Sequence, residues 1–159
     1  MLSFPHPVNE KAARAVAGGV ALLGLLTLLT QWWWLLVPVA LGFWARVLTG
    51  PKLSPLGQLA TRVIAPRLGT PRYVSGPPKR FAQGMGAAMS TAGAVLALSG
   101  AHAAATVMVV VLIAAATLES VFAFCLGCKV FGLLMRAGMV PSDVCAECAD
   151  IWAPRSSRA

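Results

Sequence analysis

Residues 81–118 read FAQGMGAAMSTAGAVLALSGAHAAATVMVVVLIAAATL, and nothing between Arg80 and Glu119 is an Asp, Glu, Lys or Arg. A run of about 18 or more apolar residues reads as a helix spanning a bilayer. This one is long enough for two, divided at Gly100-Ala101-His102. A second charge-free interval extends from Arg14 to Arg46. It is interrupted by Gln31 and by Trp32-Trp33-Trp34, whose indoles suit an interfacial belt because each has an apolar body and an N–H that needs a polar partner. A single helix over 15–45, at about 1.5 Å per residue, would overshoot the hydrocarbon core and bury that belt in mid-span. Composition agrees. Charged residues make up 11% of the chain and hydrophobic residues 58%, whereas a soluble domain carries about 25% charged residues.

Working outward, Asn9 is placed to cap a first helix that begins at Glu10. The second helix ends at Arg46, and Pro38 is expected to kink it. Lys11, Arg14 and Arg46 can snorkel to lengthen both short spans. Residues 49–80 form the one long connection. Ser54 and Pro55 are a cap and first-turn pair, and Leu56, Leu59, Ala60, Val63 and Ile64 then share one face of a short amphipathic helix lying in the membrane surface. Residues 66–80, rich in Pro and Gly, read as a loop. In the third span Gly86, Ser90 and Ala94 recur every fourth residue, which permits close helix approach and puts this helix at the centre of the bundle.

All 13 basic residues flank the spans on one side, and the two outer turns hold none. The positive-inside rule makes that side cytoplasmic, with both termini inside. The same placement excludes a nucleic-acid partner despite the net charge of +8, because no basic helix is interleaved with stacking aromatics. The N-terminal decapeptide has no basic cluster and no cleavage site at the usual distance, so the first span is expected to be retained. The expected fold class is an all-α membrane protein forming a single membrane domain over 1–159. It has four transmembrane helices in two hairpins, at about 10–30, 33–48, 81–99 and 103–124. A short interfacial amphipathic helix lies in the cytoplasmic loop 49–80, and a cytoplasmic cysteine-bearing segment covers 125–150.

The four cysteines fall in Cys125-Leu126-Gly127-Cys128 and Cys145-Ala146-Glu147-Cys148. On the reducing side a permanent structural disulfide is disfavoured. Two such pairs at this separation have the spacing of a four-thiolate zinc site, which Lys129 and Arg136 could offset in charge. The same pairs suit thiol redox or persulfide chemistry, with Lys129 lowering a thiol pKa. The third alternative is cysteines packed as small hydrophobes. Between the pairs, an apolar stretch broken by Arg136 and ended by Gly138 and Pro141 reads as a surface helix that turns back.

Glu119 is the one acidic residue within a span, and such a carboxylate is a functional candidate. The alternative is a residue near the cytoplasmic interface, facing another helix or water. At 100° per residue it does not share a face with Cys125. Arg46 reads as an interfacial anchor, His102 as a solvated turn residue, and His6 as part of a tail. No phosphate loop, nucleophile elbow or zincin motif occurs.

Several segments carry a family resemblance. They are Val8-Asn9, Phe43-x-x-Arg46, Gly50-Pro51 with Ser54-Pro55, Pro78-Lys79-Arg80-Phe81-Ala82-Gln83, and Phe124-Cys125-Leu126-Gly127-Cys128. Together, over about 5–150, they resemble the membrane family catalogued as domain of unknown function 4395. The resemblance implies a bacterial inner (plasma) membrane protein with four spans, no settled activity, and a hint of redox or sulfur metabolism. It carries over to Cys125 and Cys128, and to Asn9, Arg46, Arg80 and Gln83 as motif positions without an assigned role. If Cys145 and Cys148 fall outside the family pattern, a four-thiolate site is an elaboration.

Three functions are compatible with these features. The preferred one is an integral membrane thiol protein in which Cys125 and Cys128 exchange electrons or sulfur with a cytoplasmic thioredoxin-like or sulfurtransferase partner. The preference rests on the first pair continuing from a spanning helix and carrying the resemblance. The alternative is a non-enzymatic membrane protein with structural zinc on Cys125, Cys128, Cys145 and Cys148. The third is a small-solute transporter using Glu119. Beyond zinc, no cofactor is legible, nor is the oligomeric state.

Overall fold

The computed structural model describes residues 4–144. In chain order the elements are β1 (Val8–Asn9), α1 (Glu10–Thr30), a 3-10 turn (Trp33–Leu35), α2 (Leu36–Thr49), a 3-10 turn (Gly50–Lys52) and α3 (Pro55–Leu59). A π-helical turn (Ala60–Ile64) leads into α4 (Ala65–Arg67), and then come β2 (Tyr73–Val74), α5 (Gly76–Leu98), α6 (His102–Phe122), α7 (Leu126–Arg136) and a 3-10 turn (Ser142–Val144). Four helical stretches are long and apolar enough to cross a membrane: Glu10–Thr30, Trp33–Arg67, Gly76–Leu98 and His102–Phe122. The chain is a predominantly helical, multi-pass membrane protein, with β1 and β2 as one short antiparallel pair. Large apolar residues such as Leu22 and Leu29 on α1, Leu41 on α2, Leu98 on α5 and Val107 on α6 are exposed. Such outward faces suit lipid.

Local chemistry sets the helix ends. Asn9 caps α1 as its sequence suggests, its side chain accepting the Lys11 N–H at 3.0 Å. The helix stops at Gln31, which takes a left-handed conformation at φ 57°. Trp32 and Trp34 then stack, with ring centroids 6.1 Å apart and both side chains exposed. Pro38 falls in the first turn of α2, preceded by the 3-10 turn. A proline in the first turn of a helix is tolerated, because the N–H it lacks has little helical use there. At Gly50, φ is +66°, and Ser54 caps α3 by accepting the Gly57 N–H at 3.2 Å.

Two boundaries differ from expectation. α5 starts at Gly76, not Phe81, because Pro77 and Pro78 sit in its first turn, where their missing donors are tolerated. A Pro-rich stretch that reads as loop is therefore a helix start. α6 ends at Phe122, and Ala123 (φ 55°) turns the chain before α7, so the fourth span does not run straight into the cysteines.

The helices pack in the spatial order α1, α6, α5, α2, with α7 added on α5. α5 touches three other helices, whereas α1 and α2, neighbours in sequence, meet only slightly. Gly86, Ser90 and Ala94 are all buried. A Cβ on Gly86 would stand 2.3 Å from Phe43 Cε1, and one on Gly24 would stand 2.7 Å from Ile113 Cγ1. The core between these helices holds Val16, Val20, Phe43, Ala87, Leu112 and Ala116. In the connection after α2, small residues turn inward: Gly57, Ala60 and Ala65 are buried, and Leu56 lies against Gly19. Leu59 and Val63 are exposed beside Arg62. The apolar face read from the sequence is thus divided: Gly57, Ala60 and Ala65 turn inward and Leu59 and Val63 turn outward.

Candidate functional site

Cys125 is the N-cap of α7. Its backbone is extended and its Sγ accepts the Cys128 N–H at 3.2 Å. The two cysteines lie at disulfide distance, with their Cα atoms 5.2 Å apart. Cys125 is 8% exposed and Cys128 is half-buried. Gly127 explains how this turn is seated. A Cβ there would stand 2.5 Å from the Ala82 Cα, so the glycine lets α7 lie on the backbone of α5. Phe131, one turn on, meets Phe81 with ring centroids 5.6 Å apart. Lys129 is exposed, its ammonium 5.8 Å from the Phe124 ring centroid. Cys145 and Cys148 lie outside the described residues. Among the described residues no three His, Cys, Asp or Glu side chains are grouped to hold a metal.

The other face of the same α5 turn looks into a cavity of about 510 Å³. Its walls come from the start of α1, the end of α2, α3 with the turn after it, and α5, and residues 4–9 cover it. Arg46, Lys79, Gln83 and Asn9 contribute its polar lining. Arg46 is only 5% exposed, which corrects its reading as an interfacial anchor. Its Nε donates to Gln83 Oε1 at 2.8 Å, its Nη1 donates to Ser54 Oγ at 2.9 Å, and its Cζ lies 4.5 Å from the Phe43 ring centroid. Ser54 therefore serves both as the helix cap and as an acceptor for the guanidinium. The motif residues Phe43, Arg46, Ser54 and Gln83, scattered in sequence, form one connected group.

Glu119 does not stand alone in its span. Its Oε1 accepts from Lys79 Nζ at 2.5 Å, and the two side chains are 14% and 9% exposed. The pair joins the first turns of α5 to the last turn of α6. The sequence singles out the carboxylate but not the lysine, which looks like one more flanking cation. Other basic residues also have specific tasks. Arg14 donates to the Ser120 and Val121 carbonyls at 2.9 and 3.0 Å, satisfying acceptors that the end of α6 leaves open. Arg80 donates to the Val47 carbonyl at 3.0 Å and Lys11 to the Leu68 carbonyl at 2.6 Å. His6 Nδ1 accepts the Gly76 N–H at 3.0 Å, and His102 stacks on Trp33 at 5.4 Å. Neither contact is legible from the sequence.

No curated protein and no solved structure matches the chain. A family profile does, over residues 8–136, which takes in Asn9, Arg46, Lys79, Gln83, Glu119 and the Cys125–Cys128 pair and ends before Cys145. With most of its length matched, the chain belongs to the family described as Domain of unknown function (DUF4395).

Proposed function

We propose that this is a membrane thiol protein of the bacterial inner membrane whose Cys125–Cys128 pair exchanges electrons or sulfur with a cytoplasmic thioredoxin-like or sulfurtransferase protein. The observation that carries the reading is the Cys125–Cys128 pair held at disulfide distance across the start of α7, with Cys125 as its N-cap. The positive-inside rule supports a cytoplasmic location for this end of the bundle, a compartment in which disulfides are transient and catalytic rather than structural. In reduction by a dithiol partner, the partner's thiolate attacks Sγ of Cys128, the more open sulfur, and the S–S bond breaks. Cys125 leaves as a thiolate, favoured by the Cys128 N–H and by the positive end of α7. The second partner thiol then resolves the mixed disulfide, so two electrons pass from the partner dithiol to the pair.

Purification under anaerobic conditions, followed by zinc and thiol determination, tests this. The expected result is little zinc and a pair that cycles between dithiol and disulfide with a potential unchanged by Cys145→Ser. The rival zinc site predicts about one zinc per chain, masked thiols, and loss of metal on either Cys145→Ser or Cys125→Ser. That outcome overturns the redox reading.

Orientation has its own test. A reporter inserted at Thr70, and one fused after Ala159, should report the cytoplasm, and one at His102 the outside. Thr70 is preferred to positions in the first turn of α5, where a Cβ on Gly76 would already lie 2.7 Å from the Pro5 carbonyl oxygen. A cytoplasmic signal at His102 would refute the orientation.

A further inference from the structure

Arg46 is a buried cation without a counter-charge among the described residues. Of the described acids, Glu10 is placed against Arg72 at 3.0 Å and Glu119 against Lys79, and no carboxylate lies within ion-pair distance of Arg46. A guanidinium carries five N–H donors. Nε and Nη1 are engaged, while Nη2 is buried and donates to no acceptor. A buried charge is ordinarily paired, and the Phe43 ring supplies only part of what a carboxylate would.

The cavity beside it has the character of a ligand site. Its volume of about 510 Å³ falls within the roughly 300–1,000 Å³ of small-molecule pockets. Among the described residues its polar lining includes Arg46 and Lys79, the latter already paired with Glu119, and no carboxylate, while Ala12 and Val16 form part of an apolar wall. Mostly apolar walls with a few convergent polar groups hold an amphiphile by its body and fix it by its head.

We propose that this cavity binds a small anion-headed amphiphile, with a carboxylate or phosphate group at the Arg46 guanidinium and its apolar body against Ala12 and Val16. Nη2 is itself covered by protein atoms, and Nε and Nη1 are held by Gln83 and Ser54, so the anion is held by the guanidinium charge across the cavity, and direct contact with Nη2 requires the guanidinium to turn away from these partners. The head group can belong to a free organic anion or to a lipid; the chemistry is the same. The site requires no cysteine and stands apart from the thiol reading.

The test uses the full-length protein in a neutral maltoside detergent, titrated with octanoate below its micellar concentration and with octanamide as the uncharged isostere. Thermal midpoints report binding, since a ligand that binds only the folded state raises them. Octanoate should raise the midpoint saturably and octanamide should not. Arg46→Gln should weaken octanoate by at least about tenfold, as loss of a charge-assisted contact does. Should Arg46→Gln fail to fold, Thr61→Trp, which fills the cavity from the turn after α3, should weaken octanoate as much. Repeating the titration in nanodiscs separates the sources. Weaker octanoate binding in discs containing phosphatidylglycerol than in phosphatidylcholine discs identifies a lipid head group as the competitor, and equal binding identifies a free anion. Equal stabilisation by octanoate and octanamide overturns the proposal, as does undiminished octanoate binding in Thr61→Trp.

Discussion

Gly86→Leu should leave little folded protein in detergent, the largest loss of any single apolar substitution on α5. The first added atom is already impossible. A Cβ at this position would lie 2.3 Å from Phe43 Cε1 and 2.6 Å from its Cζ. The ring has nowhere easy to go, because Phe43 is buried and the Arg46 guanidinium rests against it. Relief therefore means separating α2 from α5, which disturbs both the packing and the Arg46 hydrogen bonds. Overpacking a tight core commonly costs about 1–3 kcal/mol, and here a charged group is displaced as well. Gly84→Leu is the control on the same helix. Nothing lies within 4 Å of a Cβ there, so it should be tolerated, and helix propensity should even favour it over glycine by roughly 0.5–1 kcal/mol. Size-exclusion profiles and thermal midpoints of the two variants decide the matter. Equal midpoints would show that α2 and α5 do not depend on this close approach.

The small-residue stripe on α5 is legible in the sequence because its period is that of a helix and its meaning rests on size alone. The first cap and the charge-free spans are legible for the same reason: each is a local pattern. Which helices meet is not a local property. Neighbours in sequence suggest hairpins, yet α1 lies mainly on α6 and α2 on α5, a result of how non-adjacent surfaces fit together. The start of α5 reads wrongly as a loop because proline breaks helices in their interior and begins them in their first turn, and the two cases look alike until the helix boundary is known.

The candidate site divides in the same way. The Cys125–Cys128 spacing is a one-turn pattern, and its closure at the start of α7 needs no distant residue. Arg46 is visible in the sequence only as a motif position and as a charge near a helix end. Its burial depends on Ser54 from α3's cap and Gln83 from α5, partners 8 and 37 positions away. The basic residues, taken collectively, signal sidedness. That reading is blind to the difference between Arg14, whose task is to satisfy helix-end carbonyls, and Lys79, whose task is to meet a carboxylate.

Removing Glu119 alone should be far more damaging than removing it together with Lys79. In Glu119→Leu the Lys79 ammonium keeps its charge within a side chain only 9% exposed, and breaking one side of a buried pair typically costs about 3–5 kcal/mol. Lys79→Met should cost a similar amount by stranding the carboxylate. The double variant Lys79→Met with Glu119→Leu removes both charges and keeps comparable volume, and such replacements are often neutral or stabilising. A double-mutant cycle on thermal midpoints therefore reads the coupling directly. The cycle also separates the two meanings of an acidic residue in a span. If Glu119 serves to close α5 on α6, the double variant recovers both stability and the dithiol–disulfide cycling of Cys125 and Cys128. If the carboxylate takes part in the chemistry, the double variant recovers stability and stays inactive. Independent, additive losses from the two single variants would show instead that the pair contributes nothing as a pair, and that each residue is held in place by other contacts.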